Sequence, residues 1–497
     1  MSAYAELEEH FGKAGRLGDA IGMLYWDMAT MMPAGGAEAR SEQIATLRVI
    51  HHELQTDPKL GELFEKARDE AGLSAWQIAN REEMFRQYTH ATAVPSDLVS
   101  RLSRKGAQTE MVWRSARADN DFARLAPHLA ETLELVRETA RIKGEALGLK
   151  PYDALLDQYE PGGSSETIDA IFDDLAGFLP EFLEAVLAHQ AEQPEPVMPV
   201  GDFSVERQEK VARRLMETLG FDFEHGRLDT SHHPFCGGVP DDVRLTTFYA
   251  PDGFLKGMMG VLHETGHALY ERGLPAEWRY QPVGAARGMS VHESQSLLVE
   301  MQACRSRAFA SFVAPMYRDA FAGTGDAWEV ENLYRVMTRV ERSLIRVDAD
   351  EVTYPAHVIL RYRLEKAMLA GELEVVDLPE AWRAGMKELL GIEPPDDRDG
   401  CMQDIHWMDG TLGYFPTYTL GAMTAAQLFA AADRALDDLD GQLARGEFGG
   451  LMGWMGEQIH AKGSLLSTEA LLTEATGEAL NPRYFKEHLR RRYLPEG

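Results

Sequence analysis

Apolar residues recur three and four positions apart, with charged residues between them, along most of this chain. That period puts them on one face of an α-helix. ARLAPHLAETLELVRETARIKGEAL (123–147) follows it, and so does SETIDAIFDDLAGFLPEFLEAVLAHQ (165–190), where Ser165 stands in position to cap. The next stretch, AEQPEPVMPVGDF (191–203), carries three prolines and reads as a surface loop or a boundary between lobes. One segment has a different pattern. DVRLTTFYAPDG (242–253) is β-branched and aromatic and closes on a turn signal, so it predicts a strand.

Helical spacing returns in FLKGMMGVLHETGHALYERG (254–273), with Leu255, Met258, Met259, Leu262, Gly266 and Leu269 along one stripe. Asp252 or Gly253 can start this helix and Gly273 can end it. A further helical pattern opens in GMSVHESQSLLVEMQACRSRAF (288–309). No repeat or low-complexity tract interrupts the series. The predicted architecture is mainly α, a large helical body with a small β element beside the histidine-bearing helix.

Composition narrows the function. The 497 residues are expected to form one unit (1–497), either a single body or two lobes meeting near 191–203. A formal net charge of −30 repels nucleic acid and anionic membrane, so neither is an expected partner. No basic segment followed by an apolar core opens the chain, and no apolar run is long enough to span a bilayer. Three scattered cysteines, Cys236, Cys304 and Cys401, speak against a disulfide framework or a cysteine-rich zinc site. The expected location is the cytoplasm.

Chemistry concentrates in HETGH, residues 263–267. Residues four apart on a helix face the same way, so His263 and His267 can aim ring nitrogens at one point, a geometry suited to Zn²⁺. Glu264 lies roughly 100° further round the helix, beside such an ion, where a general base for a metal-bound water belongs. The third ligand has to come from elsewhere. Tyr270 and Gly273 exclude the extended metzincin pattern. Glu271 faces the correct way but lies about 12 Å of helix rise beyond His263. The second helix offers Glu293, His292 and Glu300, and spacing ranks them in that order without excluding any.

Six short motifs follow one another in order: HPF (233–235), DVRLT (242–246), HETGH (263–267), HESQ (292–295), IRVDAD (345–350) and GCMQDIHW (400–407). With them the chain resembles the carboxypeptidase Taq family of zinc metallocarboxypeptidases over nearly its whole length. The resemblance implies a gluzincin-type helical fold with a deep central groove, and commonly a homodimer. It implies His263, His267 and Glu293 as ligands of one zinc ion per chain, and Glu264 as base and later proton donor. Co²⁺ or another divalent ion could fill the same site. Phe248 departs from the pattern, standing where the family is expected to carry a basic residue.

Peptide hydrolysis also needs donors for the developing oxyanion, and His406, Tyr414, Tyr418 and His233 are candidates, His406 and Tyr418 foremost. A carboxypeptidase must further recognise a terminal carboxylate, which a guanidinium does well. Arg346 is the first candidate and Arg244 the second, although Asp242 stands two residues from Arg244 and can pair with it. His292 is expected to orient Glu293 or bond to backbone, and Asp404 to orient a histidine or cap a turn. The expected activity is stepwise release of C-terminal residues from peptides, with broad specificity. An oligopeptidase cutting internal bonds shares the same ligands and base. A non-catalytic peptide-binding protein with structural zinc fits poorly, because structural sites are usually closed by four ligands.

Overall fold

The computed structural model describes residues 1–231 and 233–494. Helices dominate the described residues, and local chemistry sets several of their ends. Ser74 and Gln77 close a reciprocal capping box at the start of Ala75–Ala93. Asp121 caps Phe122–Leu147, which stops at Gly148 with φ 69°. The helix Ser165–Ala191 differs from expectation at its start. Ser164 precedes it without a side-chain cap, and the Ser165 N–H is taken at 2.8 Å by Asp153 of the neighbouring helix. A tertiary contact does there what a local cap usually does.

Three short strands form the sheet: β1 (Gly226–Thr230), β2 (Phe235–Val239) and β3 (Asp242–Thr247). β3 is central, parallel to β1 and antiparallel to β2, with Leu245 opposite Leu228 on one side and Cys236 on the other. The predicted strand therefore ends six residues early. Ala250 and Gly253 close a turn instead, and the helix Leu255–Gly273 begins from Phe254 without a side-chain cap, rather than from Asp252 or Gly253. Thr247 Oγ1 donates to the Gly257 carbonyl at 3.3 Å, tying β3 to the first turn of this histidine helix. β2 lies toward the first helix, Ala3–Thr30, with the Trp26 and Phe235 rings 5.2 Å apart.

The helix predicted across 288–309 is broken. Met289–Leu297 is α-helical, Leu298–Ala303 is a π-helical turn, and a new helix starts at Arg307. Residues 192–204 carry neither helix nor strand, yet they are anchored. Asn332 bonds to both the N–H and the C=O of Val197, and the Asp202 N–H donates to the Phe321 carbonyl.

One large apolar core underlies the body, and a smaller one (Tyr4, Leu7, Phe11, Leu60, Phe64, Ala67, Met84) underlies the N-terminal helices. Between these helices and the histidine helix lies a cleft of about 850 Å³. No described helix is long and apolar enough to cross a membrane.

Candidate metal centre

Close approach of three helices makes the site. At Gly266 on the histidine helix, an added Cβ would come within 2.5 Å of the Gln295 carbonyl oxygen. At Gly421 on Pro416–Ala435 it would come within 2.7 Å of Glu293 Cβ. Neither position has room for a side chain. The helix Met289–Leu297 is thereby pressed between two others, which brings Glu293 to the histidine pair. One ligand-type atom from each of His263, His267 and Glu293 lies within 4.8 Å of the others. Glu293 Oε2 is 3.5 Å from His267 Nε2 and 4.0 Å from His263 Nε2. Ligands bound tetrahedrally at ~2.1 Å would stand about 3.4 Å apart, so a small inward movement suffices for a divalent ion.

Hydrogen bonds behind these groups select the tautomers. His263 Nδ1 is 3.0 Å from Glu300 Oε2 and must donate to it, which leaves Nε2 as the ring atom that can face a metal. His292 Nε2 donates to Glu271 Oε1 at 2.7 Å, and His292 Nδ1 is 2.7 Å from His267 Nδ1. In the His292 tautomer with its proton on Nε2, Nδ1 accepts, so His267 donates from Nδ1 and its Nε2 is bare. Both rings then present Nε2 toward Glu293. His292 thus bonds to a histidine and to Glu271, not to Glu293 or backbone as expected.

Charge points the same way. Burial disfavours a charged ring at His263, yet the hydrogen bond to Glu300 and the charges of Glu293 and Glu264 hold it up at about 10. A proton there balances carboxylates that a metal ion would otherwise balance. His267 is pushed down to about 4, chiefly by burial, and is neutral. Burial raises Glu264 to about 7, with Glu293 and Glu300 adding to the rise against the pull of His263. Glu264 is 7% exposed and faces the cleft together with His267, His292 and Glu293.

The other sequence candidates fall in several places. Tyr414 and Tyr418 line the cleft, their rings meeting edge to face at 5.2 Å. Arg346 is buried behind Tyr418, its guanidinium carbon 5.1 Å from that ring's centre. It donates to Asp404 Oδ1 from Nη2 (2.8 Å) and Nε (3.1 Å), and to Tyr354 Oη from Nη1 (3.2 Å). Arg361 takes Asp404 Oδ2 from Nε at 2.7 Å. Asp404 therefore joins two arginines, where a histidine partner or a turn cap was expected.

His406 packs 4.5 Å from the Phe415 ring; burial lowers it to about 4, and among the described residues its Nδ1 has no hydrogen-bond partner. Arg244 is bound by both oxygens of Asp242, at 2.9 and 2.6 Å. His233 is exposed, and its carbonyl accepts from Ser231 and Thr246, while Pro234, Phe235 and Cys236 beside it line the cleft. Phe248 is 51% exposed.

Sequence reasoning missed the links made by Glu271 and Arg361. Glu271 was set aside as too distant for an ion, and distance is no bar to reaching His292. A buried arginine within the apolar run YPAHVILRYRL (354–364) was the available signal for Arg361.

Residues 6–493 match the family described as Carboxypeptidase Taq (M32) metallopeptidase. The chain is 38% identical to thermostable carboxypeptidase 1 of Thermus thermophilus, over 99% of this chain and 98% of that one. Its structure superposes on metallocarboxypeptidase 1 of Trypanosoma cruzi with a TM-score of 0.97, at 42% identity and 99% coverage of both chains. For an M32 carboxypeptidase of Deinococcus radiodurans R1 the TM-score is 0.92, at 36% identity, covering 99% of this chain and 98% of that one.

Proposed function

The chain belongs to the carboxypeptidase Taq (M32) metallopeptidase family and is a hydrolase of peptide bonds; from that premise we propose that it releases single residues from the C-termini of peptides, with one zinc ion held by His263, His267 and Glu293. The carrying observation is the convergence of those three groups within 4.8 Å, with both imidazoles backed by carboxylate-anchored hydrogen bonds. Membership in the family implies a divalent metal; the donor set of two imidazoles and one carboxylate favours zinc. Such an ion supplies a Lewis acid for the scissile carbonyl and acidifies water at neutral pH.

Glu264 then does the proton work. Its carboxylate takes the proton of the attacking water and delivers it to the leaving nitrogen. A buried carboxyl raised to about 7 is matched to both tasks near neutral pH, and a nearby dication would bring it lower and keep it ionised at rest. Tyr414, in the cleft wall, is the proposed donor to the oxyanion.

Recognition of the terminal carboxylate falls to Arg346 with Tyr418 and Tyr354. Two buried guanidiniums share the one carboxylate of Asp404, and the charge of Arg361 also acts on the buried Glu365. The Arg346 side, faced by the two tyrosines, therefore carries uncompensated positive charge, and an incoming anion would neutralise it. Arg279, a cation lining the cleft, is already bound by both oxygens of Asp241.

A free-acid peptide and its C-terminal amide, followed by mass spectrometry before and after chelation, test the proposal. Stepwise loss from the free acid, resistance of the amide and loss of turnover on chelation are expected. The Arg346→Met variant should raise KM for the free acid and narrow its advantage over the amide. Internal cleavage of both peptides would replace this reading with an oligopeptidase. Forms such as a homodimer and a cytoplasmic location stay with the proposal, and size measurement by light scattering tests the first.

A further inference from the structure

The described chain ends on the helix Pro482–Tyr493, and three of its side chains converge on one buried carboxylate. Glu351 is 1% exposed and accepts from His488 Nε2 (2.6 Å), Arg492 Nη1 (2.9 Å) and Tyr493 Oη (3.0 Å). Arg492 reaches further. It donates from Nη1 to the Met301 carbonyl and from Nη2 to the Gln302 carbonyl at 3.1 Å. These carbonyls close the π-helical turn Leu298–Ala303, which the chain leaves before its next helix begins at Arg307.

A π turn is intrinsically poorer than an α turn and persists where other contacts support it. Carbonyls at its end have no successor N–H and need an outside donor. Arg492 is that donor, and its own charge is balanced by Glu351. The turn carries Glu300, whose Oε1 takes Arg305 Nη2 at 2.6 Å and whose Oε2 faces His263 Nδ1 at 3.0 Å. If the turn relaxed to an ordinary α-helix, each residue past Leu298 would shift in register by about 100° around the axis. Glu300 would then swing off His263.

We propose that the C-terminal helix is part of the support of the metal centre, with Arg492 a positioning residue. By holding the π turn it keeps Glu300 on His263 Nδ1, which fixes the tautomer that offers Nε2 as a ligand. This rests on the ligand assignment proposed above.

Metal affinity tests it, by competition of the stripped protein with a chromophoric chelator for Zn²⁺ and Co²⁺, together with the visible spectrum of the Co²⁺ form. Glu300→Gln is expected to weaken binding by about 10- to 100-fold, the range for partners that orient a ligating histidine. Arg492→Met should weaken it about tenfold and alter the Co²⁺ bands, and Arg492→Lys should recover part of the loss. In the Glu300→Gln background, Arg492→Met should add nothing, because it acts through Glu300.

Wild-type affinity and spectrum in Arg492→Met would overturn the proposal, as would an undiminished effect in the Glu300→Gln background. Should Arg492→Met fail to fold, Arg492→Lys decides, since a smaller loss in the same direction is required of it. His263→Ala separates the two levels. If it binds metal as wild type does, the ligand assignment is wrong; if it loses metal while the Arg492 variants keep it, only the role of Arg492 falls.

Discussion

At the scale of single residues, the site is governed by which atom carries a proton. Glu300 and Glu271, one directly and one through His292, take the Nδ1 protons of His263 and His267 and leave both Nε2 atoms facing Glu293; that of His267 is bare, and that of His263 gives up its proton when a cation takes its place. Among the described residues Glu264 has no hydrogen-bonded partner that would hold it ionised, and burial raises it. Its role is therefore separable from metal binding. Glu264→Gln should lower kcat by about 10²- to 10⁴-fold, the usual worth of a positioned acid–base group, while metal content stays that of the wild type. Turnover and bound metal measured on the same preparation check this. Intact turnover would return the chain to a role in which the metal is structural.

At the scale of elements, the decisive feature is how closely helices approach. Gly421 faces Glu293 itself, and Gly266 faces the backbone of the helix carrying it. A methyl group at either point has to be met by movement of that helix, at a cost of about 1–3 kcal/mol for overpacking. Gly421→Ala is expected to lower thermal stability and to weaken metal binding, because displacement of Met289–Leu297 carries Glu293 away from the histidines. Calorimetry with and without added metal reads both effects. A variant that loses stability but binds metal like the wild type would show that the helix tilts without moving Glu293. The start of Ser165–Ala191 and the break at Leu298–Ala303 follow the same rule, since in each a neighbouring element satisfies backbone groups that local sequence leaves open.

For the whole molecule, buried ionisable groups set the response to acid. His357 is fully buried, and its Nε2 donates to the Ser343 carbonyl. Burial, with Arg361 nearby, pushes it down to about 3. Its folded value lies below its unfolded value near 6.5, so its stabilisation is complete above pH 6.5. Below that, the unfolded state takes up a proton that the folded state refuses, and roughly 1.4 kcal/mol is lost per pH unit from this site. His357→Gln keeps an amide donor and removes the titration. Urea unfolding at pH 7, 6 and 5 should show the wild type falling more steeply than the variant; parallel curves would rule the effect out. Glu351 and Asp404 act lower in the scale. Burial opposes their ionisation, but His488 and Arg492 hold Glu351, and Arg361 and Arg346 hold Asp404, well below the ordinary carboxylate range. Their contribution is full above about pH 4.5 and is lost as the pH falls further.

Periodicity alone determined that the chain is mainly helical, and turn and strand chemistry placed a small β element before the histidine helix, because both patterns are local consequences of side-chain spacing. Ordered motifs identified the family, and the i, i+4 spacing put His263 and His267 on one face. Tertiary structure decided what lies across space from them. That Glu293 faces the Nε2 atoms of the pair while His292 meets His267 from its Nδ1 side, that Glu271 works through His292, and that Asp404 joins Arg346 to Arg361 all depend on helices distant in sequence. Spacing along one helix fixes direction but not the distance to a second helix. That distance is set by packing at positions such as Gly266 and Gly421, where the absence of a side chain admits the neighbour.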